Sequence, residues 1–180
     1  MVSPNDILNS KRPQQGFLCP PTANTYNIQF TSFRVRDPES KTVLFHISQD
    51  QDSTQMVGTM SMDPSDPEQR TVRYQFPTAF LDLSTVGTSL TFSVGDRPIP
   101  KLRLIERFYY KDKLIKSFDF EFGFVIPNST NSWESIYVMP QLSKKEKQKM
   151  IEHPFETVSD TFYFVEDELI VHNKAYYSFQ

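Results

Sequence analysis

The chain has 180 residues, a formal net charge of −3 and one cysteine, which is the size of a single domain able to bury a core without cross-links. Its 16 Phe and 8 Tyr against 5 Gly call for a large interior of the kind packed β-sheets provide. The acidic balance, with basic residues gathered only in one Lys-rich helical stretch, excludes nucleic-acid binding by phosphate neutralisation; the lone Cys19 excludes an internal disulfide and fits a reducing compartment.

The first residues, Met1-Val2-Ser3-Pro4-Asn5-Asp6, show no basic stretch followed by an apolar run, and no apolar run approaches the roughly 18 residues of a membrane span. The expectation is a cytosolic protein without signal peptide or integral membrane association, so the sequon Asn128-Ser129-Thr130 would go unused. Ser3 is placed to cap a helix with Pro4 at its first position, and Pro13 and Pro20-Pro21 downstream keep that helix short. This gives an N-terminal segment, 1–24, ahead of a sandwich domain, 25–180.

From Tyr26 to Arg36 the apolar residues alternate as Tyr26, Ile28 and Phe30, then resume out of phase at Phe33 and Val35, the pattern a β-bulge produces. Asp37-Pro38-Glu39-Ser40 is a turn before a strand at Lys41–Ile47. Residues 48–70 are polar and read as a long loop. Strands come next at Thr71–Phe76 and Thr88–Val94, separated by a corner at Pro77–Leu81.

Leu102 to Ile126 reads as one long hairpin turning at Tyr110–Lys113. Its first arm places Leu102, Leu104, Glu106, Phe108 and Tyr110 on one face. The second places Leu114, Lys116, Phe118, Phe120, Phe122 and Phe124 on one face, with Ser117, Asp119 and Glu121 opposite. Glu106 is the exception on an apolar wall. It is either paired with an Arg or bulged outward, or it stands in a hydrophobic cavity between two sheets as the polar group that orients a ligand. Pro127–Trp133 reads as a turn-rich loop. Ser143-Lys144-Lys145-Glu146 is a capping box, opening a helix that Pro154 closes. A second hairpin runs from Thr161–Val165 to Leu169–Phe179 across Glu166-Asp167. Eight or nine strands and one or two short helices predict an all-β, immunoglobulin-like antiparallel sandwich.

The sequence lacks a phosphate-cradling glycine loop, Gly-x-Ser-x-Gly, Cys-x-x-Cys and His-x-x-x-His, and its three histidines are far apart. No catalytic residue, metal site or cofactor is expected.

Several words of the sequence are those of a known family. Ile105-Glu106-Arg107, Lys116-Ser117-Phe118-Asp119-Phe120, His153-Pro154-Phe155-Glu156-Thr157, Ser159-Asp160-x-Phe162-Tyr163-Phe164-Val165 and Val171-His172-Asn173-Lys174-Ala175-x-Tyr177-Ser178 resemble the uncoordinated-119 family of lipid-binding chaperones. The likeness runs from Phe17-Leu18-Cys19-Pro20 to the C-terminus, without the long N-terminal extension of animal members. It implies a monomeric sandwich that binds the N-terminal myristoyl group of client proteins such as G-protein alpha subunits, Src-type kinases and ciliary proteins. It also implies transport through cytosol, often towards the cilium, and release of cargo by Arf-like small GTPases in the GTP state. Positions matching Phe33, Tyr74, Phe80, Glu106, Tyr163 and Tyr177 line the acyl chain in that family, with the Glu meeting the first peptide groups of the cargo. The wall extends to Val35, Phe118, Phe120 and Phe122. Phe108 stands where animal members have His, and Met139 where they have Phe. The stretch Phe120–Trp133 is closer to the related prenyl-binding phosphodiesterase delta subunit, which keeps prenyl binding as an alternative; a non-lipid interaction sandwich is the second.

Overall fold

The computed structural model describes residues 1–48 and 58–180. Among these, two sheets pack face to face. Strands β1 (Gln29–Arg36), β2 (Val43–Ser48), β5 (Thr85–Ser93) and β8 (Thr130–Val138) form a four-stranded sheet in the order β2-β1-β5-β8. The larger sheet has the order β3-β4-β10-β9-β6-β7, from β3 (Thr59–Met62), β4 (Thr71–Phe76), β6 (Ile99–Tyr110), β7 (Lys113–Val125), β9 (Thr157–Val165) and β10 (Glu168–Phe179). Pairing is antiparallel except between β4 and β10, which run parallel in register Thr71↔Lys174 to Phe76↔Phe179. The two helices, α1 (Pro4–Asn9) and α2 (Lys144–Glu152), each open on a capping box, Ser3 with Asp6 and Ser143 with Glu146. Neither is long and apolar enough to cross a membrane.

The local rules of the sequence act as expected at several points. The register slip in β1 lies between Phe30 and Ser32, so Phe30 and Phe33 both reach the interior despite their odd spacing. The β6–β7 hairpin turns at Lys111 and Asp112, with Lys111 at positive φ.

Three expectations need correction. Residues 127–133 are not one loop: β8 begins at Thr130. Its exposed Thr130, Ser132 and Glu134 resemble loop residues, while Trp133, Ser135 and Tyr137 face inward. The polar stretch 48–70 contains β3, which pairs antiparallel with β4, and its first residue, Ser48, ends β2; residues 63–70 are turns and irregular backbone, and residues 49–57 lie outside the described residues. Phe124 does not continue the aromatic face of β7 but is 61% exposed. The alternation breaks at Gly123, whose φ of +95 permits a bulge that turns Val125 inward.

The large sheet is covered on its outer face as well. Ile7, Cys19, Ile105, Phe162, Phe164 and Leu169 form a separate buried cluster there, with Val2, Leu8, Leu18 and Ala23 packed against it. The N-terminal segment is thus a third layer over β6, β9 and β10. It is fastened by charged side chains. Asp160, fully buried, accepts the Gln14 backbone N–H at 2.8 Å, the Lys174 ammonium at 2.6 Å and the His172 Nε2–H at 3.0 Å. Because His172 Nδ1 accepts the Leu18 N–H at 3.0 Å, the ring is held as one neutral tautomer. Burial acts to raise the Asp160 carboxyl, and the bonds from His172 and Lys174 outweigh it, leaving that carboxyl below its ordinary range. Burial holds His172 below the usual imidazole value, which keeps it uncharged.

Candidate functional site

Between the sheets lies a cavity of about 300 Å³. Its wall comes from both layers: Phe33 and Val35 on β1, Val86, Thr88 and Leu90 on β5, and Trp133, Ser135 and Tyr137 on β8 face Val72, Tyr74 and Phe76 on β4, Leu104, Glu106 and Phe108 on β6, Ser159, Thr161 and Tyr163 on β9, and Ala175 and Tyr177 on β10. Each group is spaced by two along its strand, so the lining is the direct product of strand periodicity. The cavity reaches the surface where exposed Ile47 and Gln69 stand on its wall, next to the polar Arg70, Asn173 and Lys174.

Of the residues singled out in the sequence, Phe33, Val35, Tyr74, Phe80, Glu106, Phe108, Phe118, Met139, Tyr163 and Tyr177 line this cavity. Phe120 and Phe122 are not on its wall. Phe120 packs edge-on against Tyr137 at 5.0 Å, and Phe122 edge-on against Trp133 at 5.3 Å and Phe92 at 5.4 Å. Both rings are partly buried beside the cavity, packed against the core from the edge strand β7.

Glu106 resolves the ambiguity left by strand phasing. It is neither bulged outward nor paired with an Arg: it lines the cavity, and among the described residues no cation lies within ion-pairing distance of it. Protein surrounds it, and the area it keeps accessible faces the hollow. The Tyr137 and Ser159 hydroxyls stand by the carboxyl and favour its charged form. Ser159 Oγ is also 3.0 Å from Tyr177 Oη, so the order Tyr177 to Ser159 to Glu106 lets each hydroxyl donate once. Burial pushes the Glu106 carboxyl above the ordinary glutamate value, and the two hydroxyls only partly offset this. Tyr74, Tyr137, Tyr163 and Tyr177 are all held as neutral phenols, first by burial and then by the nearby carboxylate.

Among the wall residues that the sequence reading missed, Tyr137 and Ser159 are the two that act on Glu106. Tyr137 was hidden in a strand not recognised past Trp133, although it stands two positions beyond Ser135 and four beyond Trp133. Ser159 lay just outside the strand read as starting at Thr161; its spacing from Tyr163 places it on the same face.

Chemically, the site is a greasy slot with one acidic acceptor and a set of phenols. Its wall carries no His or Cys, and no cluster of His, Cys, Asp and Glu suited to a metal occurs among the described residues. What the arrangement can do is enclose an apolar chain and accept hydrogen bonds from the group attached to it.

Comparison with known proteins agrees with this geometry. The family model described as "GMP-PDE, delta subunit" matches residues 22–179. Protein unc-119 of Caenorhabditis elegans is 49% identical over 178 residues, covering 99% of this chain and 80% of the relative. Protein unc-119 homolog B of Homo sapiens is 47% identical over 182 residues, covering 99% and 72%. The Drosophila melanogaster protein unc-119 homolog is 42% identical over 192 residues, again covering 99% and 72%. The chain belongs to the unc-119 family, lipid-binding chaperones that share the domain of the GMP-PDE delta subunit.

Proposed function

We propose that this protein is a solubilising carrier for N-myristoylated client proteins: the acyl chain occupies the inter-sheet cavity, and Glu106 receives the first peptide groups behind it. The observation that carries the reading is a carboxylate held in an apolar cavity without a cation. Even with the Tyr137 and Ser159 hydroxyls beside it, a carboxylate has roughly four acceptor positions, which leaves room for donors that arrive with a ligand. An N-acylated peptide brings such donors in series, because its acyl amide and the following backbone N–H groups lie directly behind the lipid. A prenylated C-terminus hangs its lipid on a side-chain sulfur and presents fewer donors in line. A slot near the lower end of the usual range for ligand cavities, about 300–1,000 Å³, also suits an unbranched chain better than a branched one.

The energetics suit transport. At about 0.8 kcal/mol per methylene, burying a fourteen-carbon chain is worth on the order of 10 kcal/mol, which a bilayer also offers, so an apolar cavity competes with the membrane on equal terms. Release requires a partner that prefers the empty state by a few kcal/mol. Family membership supports an Arf-like GTPase in its GTP state as that partner, and G-protein alpha subunits, Src-type kinases and ciliary proteins as cargo delivered through the cytosol.

The test is competition between fluorescent peptides. A myristoylated N-terminal peptide binds at least about tenfold more tightly than its unacylated form and than a farnesylated C-terminal peptide, a difference of about 1.4 kcal/mol. Equal or tighter farnesyl binding overturns the acyl assignment in favour of a prenyl carrier. Binding of neither lipid leaves a plain interaction sandwich.

A further inference from the structure

The segment crossing the outer face of the large sheet, residues 10–19, is held mainly by its backbone. Arg107 donates to the Ser10 carbonyl at 2.5 Å; Asp160 accepts the Gln14 N–H and Lys174 donates to the Gln14 carbonyl; His172 accepts the Leu18 N–H; Arg70 donates to the Cys19 carbonyl at 2.8 Å and lies 3.7 Å over the Phe17 ring. Two of these residues have a second place. While their side chains hold the strap, Arg70 and Lys174 also border the inter-sheet cavity, at the polar end where exposed Gln69 stands. The Lys174 N–H donates to the Arg70 carbonyl at 2.9 Å, so the two are joined to each other as well. One layer of sheet therefore separates the strap from the slot, and the two residues whose side chains hold the strap also border the slot.

We propose that the strap at residues 10–19 is a positioning element of the acyl site. This inference rests on the carrier reading above. Docked, the strap fixes the heads of Arg70 and Lys174 and with them the adjoining wall, Val72 and Tyr74 on β4 and Asn173, Ala175 and Tyr177 on β10. Lifted, it exposes Asp160 and Lys174 to water, the β4–β10 junction loosens at the cavity opening, and the acyl chain leaves faster. Coupling of this kind is reciprocal: whatever the docked strap adds to acyl affinity, the bound acyl chain adds to strap docking.

Hydrogen exchange on the unaltered chain tests one direction. Saturating myristoyl peptide slows exchange of the Gln14 and Leu18 amides by about fivefold or more, the lower range of ordinary allosteric coupling. Stopped-flow release tests the other. Gln14→Pro deletes the N–H donated to Asp160, and Asp160→Asn weakens the same bond from the sheet side. Both release the peptide about fivefold faster than the unaltered chain, with little change in association rate. The inference is overturned if bound peptide leaves the Leu18 amide exchange unchanged. It is equally overturned if the variants speed strap exchange and still release peptide at the original rate. Failure of the carrier reading shows differently, as no peptide binding by the unaltered chain, and it removes this inference too.

Discussion

Replacing Ala175 by Leu separates a hollow sandwich from a filled one by sign. Ala175 is 6% exposed and lies on the cavity wall in phase with Tyr177, beside Ser159 on β9 and Val72 on β4. In a packed core, three added carbons would force neighbours off their rotamers and cost about 1–3 kcal/mol. Against an open space of about 300 Å³, the side chain enters the void instead. Burying three carbons at about 0.8 kcal/mol each gives roughly 2.4 kcal/mol, from which ordering a leucine takes about 0.5–1 kcal/mol. The ligand-free protein should therefore gain about 1.5 kcal/mol, read as a rise in urea midpoint at unchanged slope. The same carbons displace about three methylenes of acyl chain, so myristoyl peptide affinity should fall by about 2.4 kcal/mol, roughly fiftyfold. Stability and affinity move in opposite directions. A loss of stability with affinity unchanged would show that no usable hollow lies behind Ala175, and the carrier argument would fail with it.

The remaining predictions concern the acid and the backbone. The folded Glu106 carboxyl lies above its ordinary value, so between the unfolded and folded values the native state holds more protons and stability falls as pH rises. Glu106→Gln removes that fall: its urea midpoint should gain on the parent's as pH is raised from about 4.5 towards neutrality, and parallel profiles would refute the assignment. Tyr137→Phe removes a hydroxyl that favours the charged carboxylate; leaving that acceptor short should cost about 1–3 kcal/mol at neutral pH and less in acid, where the carboxyl is protonated. Gly123→Ala meets no atom within 4 Å, yet φ of +95 is strained for any L-residue, so it should cost about 1–2 kcal/mol in thermal or urea unfolding; a neutral result would mean that the bulge relaxes.

The parts of the fold legible in the sequence were those governed by local rules. Alternation gave most strands, proline and capping residues gave both helices, and the slip between Phe30 and Phe33 marked the bulge in β1. Glu106 was conspicuous because a carboxylate in an apolar phase needs a reason. What could not be read depends on neighbours far along the chain. Strand β8 pairs with β5 through its backbone, and its outward face of Thr130, Ser132 and Glu134 looks like a loop when taken alone. The third layer was hidden because Arg107, Asp160 and Lys174 have the chemistry of surface residues, and the strap's backbone groups, together with the Asp160–Lys174 pair, account for their burial. In the site, Phe120 and Phe122 share a phase with Phe118, but periodicity fixes which face a ring points to, not how far along the face the hollow extends. Tyr137, which meets Glu106 from the opposite sheet, is a pairing between layers that no single strand announces.

The position of β10 bears on how the molecule is made. The last strand in the chain occupies the middle of the large sheet, antiparallel to β9 and parallel to β4 across a separation of about a hundred residues. Chain order and spatial order conflict there, and such distant pairing makes for slow folding. During synthesis, β4 must wait with one edge open until Lys174–Phe179 leaves the ribosome. The wall that would hold a fatty chain stays incomplete until β10 has emerged and paired, so a nascent chain shorter than that cannot enclose one.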